Sequence, residues 1–123
     1  MTITELITAL EKATGPSREL DCFIALAAGR ARGVALRDMQ TGPTDSQKSW
    51  MASSVVQKGA WFHPERYTAS IDAALTLVPE GWEWELAWNN NMAYATFGIA
   101  PIEGESPSLA IALCIAALKA RED

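Results

Sequence analysis

Tyr67-Thr68-Ala69-Ser70-Ile71-Asp72-Ala73-Ala74-Leu75-Thr76-Leu77-Val78-Pro79 runs directly into Glu80-Gly81-Trp82-Glu83-Trp84-Glu85-Leu86-Ala87-Trp88, and the apolar period changes across the proline. Ile71, Ala74, Leu75 and Val78 recur at the spacing that lines one face of a helix, whereas Trp82, Trp84, Leu86 and Trp88 recur at every second residue, as one face of a strand does. The stretch therefore reads as a helix ended by Pro79-Glu80-Gly81 and followed by a strand. Trp82, Trp84 and Leu86 are expected in the core, because they alternate with Glu83 and Glu85 and because large aromatics dominate the buried area of small domains. The alternative is a binding face that includes Trp88 and uses the indoles as rigid stacking surfaces. Glu83 and Glu85 share the other face with side chains roughly 7 Å apart. That spacing could suit paired carboxylates, but a solvated strand face explains it more simply.

Downstream, Met92 to Ala100 reads as a second strand, joined to the first by Asn89-Asn90-Asn91, a residue type that tolerates the left-handed backbone of a tight turn. Ser106-Pro107 reads as a cap with proline in the first helical position, and Leu109 to Leu118 is apolar on nearly every side, so a central last helix is expected. Upstream, Thr2-Ile3-Thr4-Glu5 fits a capping box before a short amphipathic helix that Gly15-Pro16 stops. Ser17 can cap a second helix with Leu20, Phe23, Ile24 and Ala27 as its buried stripe, fading between Gly29 and Gly33. Thr68 can cap the third. Residues 34 to 66 contain short apolar patches around Thr41-Gly42-Pro43-Thr44-Asp45, which fits a hairpin or an ordered loop better than a long helix. The expected fold is one α/β (α+β) domain over residues 1–123, about four helices around a small antiparallel sheet.

At 123 residues and 49% hydrophobic, the chain is long enough to bury a continuous core. Its net charge of −5 resides entirely after residue 79, where seven acids face only Lys119 and Arg121. An acidic surface repels a phosphate backbone, so general nucleic-acid binding is not expected. Arg30, Arg32 and Arg37 form the one local basic cluster, read as cations opposing a helix dipole. The opening Met1-Thr2-Ile3-Thr4-Glu5 lacks the pattern of a secretion signal, and the apolar run from Leu109 is far below the ~20 residues of a membrane span. A soluble intracellular protein without membrane attachment is expected. Cys22 and Cys114 sit in helical patterns and read as buried free thiols.

No catalytic set can be assembled. His63 and Glu65 form a His-x-Glu string without the cysteine pair of a zinc deaminase, and Ser17 and Ser70 lack a nucleophile-elbow context. No metal and no cofactor are expected. Trp50, Trp61 and Phe62 lie in the middle segment, where loops often carry function, and are the candidates for an exposed contact surface.

Three stretches together resemble the phage ABA-sandwich domain, a family of small bacteriophage and prophage proteins. They are Ala13-Thr14-Gly15-Pro16-Ser17-Arg18-Glu19-Leu20-Asp21, then Tyr67 to Leu75 running on to Trp82, and Ala110-Ile111-Ala112-Leu113-Cys114-Ile115-Ala116-Ala117-Leu118-Lys119-Ala120-Arg121. The resemblance implies a three-layer α-β-α sandwich acting in the cytoplasm of a bacterial host cell, and it brings no catalytic residues. Arg18, Asp21, Tyr67 and Asp72 are the polar residues inside these strings. Arg18 and Asp21 can pair on one helical face. Alternatively Arg18, Asp21 and Tyr67 border a cleft between two helix starts that holds an anion. The expected function is a non-enzymatic phage accessory protein that binds a phage or host protein, with assembly between copies as one way to bury its surface. The alternative is a binder of a small anionic ligand, such as a host signalling nucleotide.

Overall fold

Thr2 opens the first helix with a capping box: its hydroxyl accepts the Glu5 N–H at 3.1 Å, while the Glu5 carboxylate accepts the Thr2 N–H at 3.3 Å. Backbone donors left free at a helix start are thereby satisfied. In the computed structural model, which describes residues 1–39, 47–98 and 102–122, this helix is α1 (Ile3–Lys12) and buries Leu6, Ile7 and Leu10. Ser17 caps α2 (Arg18–Ala27) by accepting the Leu20 N–H at 3.2 Å. Ile24 of the expected stripe is fully buried and Leu20, Phe23 and Ala27 are half-buried.

Gly29, at φ +76, turns the chain out of α2 in a conformation that costs a glycine nothing. β1 (Ala31–Met39) follows, pairing antiparallel with β2 (Gln47–Ser54), and β3 (Trp61–Phe62) pairs with the other edge of β2. The middle segment is thus built on a hairpin; the turn sequence at 41–45 lies outside the described residues. Leu36 stands opposite Trp50, and Val34 and Phe62 opposite Ala52, on the face where Trp50 meets Phe23 of α2 at 6.2 Å between ring centroids.

The third helix is shorter than its periodicity suggests. Ser70, not Thr68, caps α3 (Ile71–Leu75), accepting the Ala73 N–H at 3.2 Å. Thr68 is drawn away from capping by bonds to Asp21, described below.

β4 (Trp84–Asn89), β5 (Met92–Phe97) and β6 (Ile102–Ser106) form a second antiparallel sheet in that order. Asn90 and Asn91, at φ 53 and 61, make the two-residue turn between the paired Asn89 and Met92. The expected strand from Met92 is present to Phe97, and Ala100 lies outside the described residues. Ser106 belongs to β6 rather than to a helix cap; Ser108 caps α4 (Leu109–Glu122), accepting the Ile111 N–H at 3.3 Å. α4 is buried on every side from Ala110 to Leu118 and packs on β6, β5, α1 and α3, the central position its composition predicts. Gly104 of β6 lies so close to the α4 backbone at Ala112 and Ala116 that a Cβ would overlap it.

The described residues therefore form an α+β fold with four helices and two three-stranded antiparallel sheets, in place of the single sheet expected. α2 packs on the first sheet, α4 on the second, and α1 touches both helices.

Candidate functional site

Arg18 and Asp21 meet in a structural clasp with Thr68, while the hydroxyl of Tyr67 accepts from Arg30 instead. Asp21 is 1% exposed, and its carboxylate accepts three bonds: the Thr68 N–H and the Thr68 hydroxyl at 2.8 Å each on one oxygen, and Arg18 Nη1 at 2.7 Å on the other. Arg18 Nη2 reaches the Pro64 carbonyl at 2.7 Å, and the Ser17 N–H donates to the Thr68 hydroxyl at 2.9 Å. The expected salt bridge is therefore present, as one arm of a network that ties the start of α2 to the loop before α3. The clasp joins the stretch Ala13 to Asp21 with the stretch that begins at Tyr67.

Beside it lies an open groove of about 1130 Å³, lined by Arg18, Arg30, Phe62, His63, Arg66 and Tyr67 among others. Asp21 is not part of its lining. Arg30 is held by three bonds: Nη1 donates to the Tyr67 hydroxyl at 2.8 Å and the Thr76 hydroxyl at 2.9 Å, and Nη2 donates to the Thr76 carbonyl at 2.6 Å. Its guanidinium carbon also sits 5.7 Å from the Tyr67 ring centroid. The donors of Arg18 and Arg30 are thus partly engaged by the protein itself, and Glu65 and Asp72 add negative charge to the same walls.

Of the basic cluster, Arg30 meets a helix C-terminus as expected, donating to the carbonyl of Thr76, the C-cap residue of α3, whereas Arg32 and Arg37 do not. Arg37 stacks 4.6 Å from the centroid of Trp61, and Arg32 donates to the Val55 carbonyl at 3.2 Å. Trp50, Trp61 and Phe62 are all half-buried, Trp50 beside Phe23 and Trp61 beneath Arg37. His63 is exposed. Among the described residues no group of three His, Cys, Asp or Glu side chains is placed to hold a metal ion. Cys22 and Cys114 are free and buried, and burial pushes both thiols up, Cys22 to about 11, so neither is a thiolate nucleophile at neutral pH.

The exposed aromatic surface is elsewhere. Trp84 and Trp88 in β4 are 46% and 57% exposed, and Trp82 just before it is 41% exposed, which overturns the core assignment of Trp82 and Trp84; Leu86 is half-buried. The reason is coverage. Trp84, Leu86 and Trp88 stand opposite Phe97, Ala95 and Ala93, so they share the side of the sheet that carries the core. One helix is about 10 Å wide and strands lie about 4.8 Å apart, so one helix covers about two strands. α4 covers β6 and β5, and the tryptophans of β4 project past it.

Among the described residues β4 is also an edge strand. Gly98 donates to the Glu83 carbonyl at 2.9 Å, which places residues 83, 85, 87 and 89 in hydrogen-bonded pairs with the neighbouring strand. The backbone N–H and C=O groups of Trp84, Leu86 and Trp88 consequently point away from the sheet, toward its open side. The opposite face of the sheet is acidic: Glu85, Thr96 and Glu103 stand in one row, and Ala87, Tyr94 and Glu105 in the next. The site is therefore a strand edge with outward backbone donors and acceptors, indoles on one face and carboxylates on the other. The period-two signal in the sequence locates this strand; the width of the covering helix decides that its face is open. Comparison of the chain with protein families, with curated proteins and with solved structures finds no match.

Proposed function

We propose that this chain is a non-enzymatic protein-interaction module that recognises its partner through β4, by strand addition at the edge and by burial of Trp82, Trp84 and Trp88. The observation that carries this reading is the uncovered tryptophan face beside an unpaired strand edge. Strand addition supplies affinity through main-chain bonds and specificity through alternate side chains. Tryptophan is enriched among the residues that dominate binding energy. The exposed parts of the three indoles amount to roughly 350 Å², the size of the largest apolar patch on a typical monomer and one commonly functional.

On the sequence resemblance, the setting is a bacteriophage or prophage accessory role in the cytoplasm of a bacterial host, and the frame is a three-layer α-β-α sandwich. α2 packs on one sheet and α4 on the other. Among the described residues no helix is long and apolar enough to cross a membrane.

The test is the double variant Trp84→Ser/Trp88→Ser, tethered and compared with the unaltered chain for capture of bound protein. At least a tenfold loss of capture with an unchanged far-ultraviolet circular dichroism spectrum is the expected outcome. Full retention of capture would remove β4 as the recognition surface.

A second reading, a small anionic ligand, is favoured by the convergence of Arg18, Arg30, Arg66 and His63 on one groove. Titration calorimetry with pyrophosphate checks it: binding weakened by Arg18→Ala supports the groove, and no heat at any concentration removes it.

A further inference from the structure

We infer that the occupant of the β4 edge is β4 of a second copy of this chain, paired antiparallel about a twofold axis at Leu86 so that two three-stranded sheets become one six-stranded sheet. This rests on the reading of β4 as the recognition surface and adds the identity of the partner.

Three features of the strand select a second copy. The outward backbone groups belong to Trp84, Leu86 and Trp88. An antiparallel pairing must match outward-facing residues with one another. A twofold axis at Leu86 does so across the strand, placing Trp84 opposite Trp88 of the second copy and Leu86 opposite its own counterpart. All three apolar residues of β4 are then paired on one face.

Charge selects the same register. With the axis at Leu86, Glu85 stands opposite Ala87 and Glu83 opposite Asn89, so no carboxylate faces another directly. Moving the axis to Glu85 sets Glu85 against itself. Moving it to Ala87 sends Trp84 opposite Asn90, in the turn. Only the central register pairs Trp84 with Trp88 within the strand while keeping the carboxylates apart; Trp82, outside β4, then lies beside the Asn90 turn of the second copy.

The area is consistent with a dimer. The exposed surface of Trp84 and Trp88, roughly 260 Å² per copy, is about a third of the ~800 Å² that each partner contributes to a standard interface, before Leu86 and the strand backbone are included. In the joined sheet the two α4 helices flank a central gap two strands wide. Four indoles, from Trp84 and Trp88, and two leucines are the groups positioned to fill it.

The arrangement also fixes how association responds to solution conditions. Glu85 lies on the diagonal from Glu85 of the second copy, at a separation of about 7–8 Å. Salt screens that repulsion, so association strengthens as ionic strength rises, the reverse of an interface held by ion pairs.

The experiment combines sedimentation equilibrium on the unaltered chain with cysteine crosslinking. The unaltered chain is expected to be a dimer that dilution dissociates and salt tightens, and Trp84→Ser/Trp88→Ser is expected to weaken it at least about tenfold. Leu86→Cys brings two Cα atoms within about 5.5 Å, inside the span of a disulfide, and should form a covalent dimer under mild oxidation. Ala87→Cys separates them beyond about 7 Å and should not. Cys22 and Cys114 are buried, so the background is low. A chain that stays monomeric to sub-millimolar concentration, a dimer indifferent to the double tryptophan variant, or crosslinking at Ala87 but not Leu86 would overturn self-pairing. If the monomer nonetheless captures another protein through Trp84 and Trp88, self-pairing alone fails; if capture is also unaffected by the double variant, the reading of β4 fails with it.

Discussion

Asp21 is a charged residue placed where charge is expensive, and it is tolerated because both carboxylate oxygens have partners. Replacing it with alanine leaves the Thr68 N–H without an acceptor, the Thr68 hydroxyl with only the Ser17 carbonyl at 3.2 Å, and Arg18 without its counter-ion. A loss of about 3–5 kcal/mol is expected, read as a lowered urea midpoint with an unchanged slope. The two cysteines give a second expectation at this scale. Both thiols have folded-state pKa values raised by burial, so the folded chain keeps protons that the unfolded chain releases. For Cys22 that stabilisation is complete below pH 9 and is lost as pH rises toward about 11. Stability should therefore fall across that window, and alkylation at pH 8 should require unfolding. A native chain that is alkylated rapidly at both positions would contradict the burial assignment.

Elements differ in how much of their environment is written in their own residues. The capping box at Thr2, the cap at Ser17 and the Asn90-Asn91 turn depend on contacts a few residues apart, so local chemistry alone discloses them. β6 is obscured because Gly104 interrupts its alternation, and Gly104 is there because α4 packs against the bare backbone. Gly104→Ala should cost about 3 kcal/mol or prevent folding, measured by thermal denaturation. Exposure along β4 depends on which strands α4 can span, a matter of width that no period in the strand records. Trp84→Ala should therefore change monomer stability by less than about 1.5 kcal/mol, whereas Phe97→Ala, on the adjoining covered strand, should cost about 3–5 kcal/mol. Equal losses would mean that the tryptophan face is covered after all.

At the scale of the whole molecule, helix number, α+β class and the central place of α4 follow from hydrophobic pattern, while the division into two sheets does not. Pairing partners are set by long-range packing: Trp50 answers Phe23, and Phe62 completes the row begun by Val34 and Ala52. The candidate site was legible as a strand of alternating tryptophans and illegible as an open edge. Arg18, Asp21 and Tyr67 were legible as a polar group near two helix starts; hydrogen bonds through Thr68 turn Arg18 and Asp21 into a brace, and Tyr67 pairs with Arg30. The first sheet, α2 and α4 should differ in amide exchange according to coverage, with α4 slowest because every turn from Ala110 to Leu118 is buried. Faster exchange in α4 than in β4 would invert that order.

The uncovered indoles also make the chain its own optical reporter. Three of its five tryptophans look out into water, and the remaining two, Trp50 and Trp61, are half-buried. Indole emission moves to longer wavelength when solvent relaxes around the excited ring, so the isolated folded chain should already emit far to the red and be readily quenched by iodide. Unfolding will then shift the spectrum little, whereas occupancy of β4 will move it to the blue and protect it from quencher. The usual optical sign of folding in a tryptophan-rich domain becomes, for this chain, a sign of company.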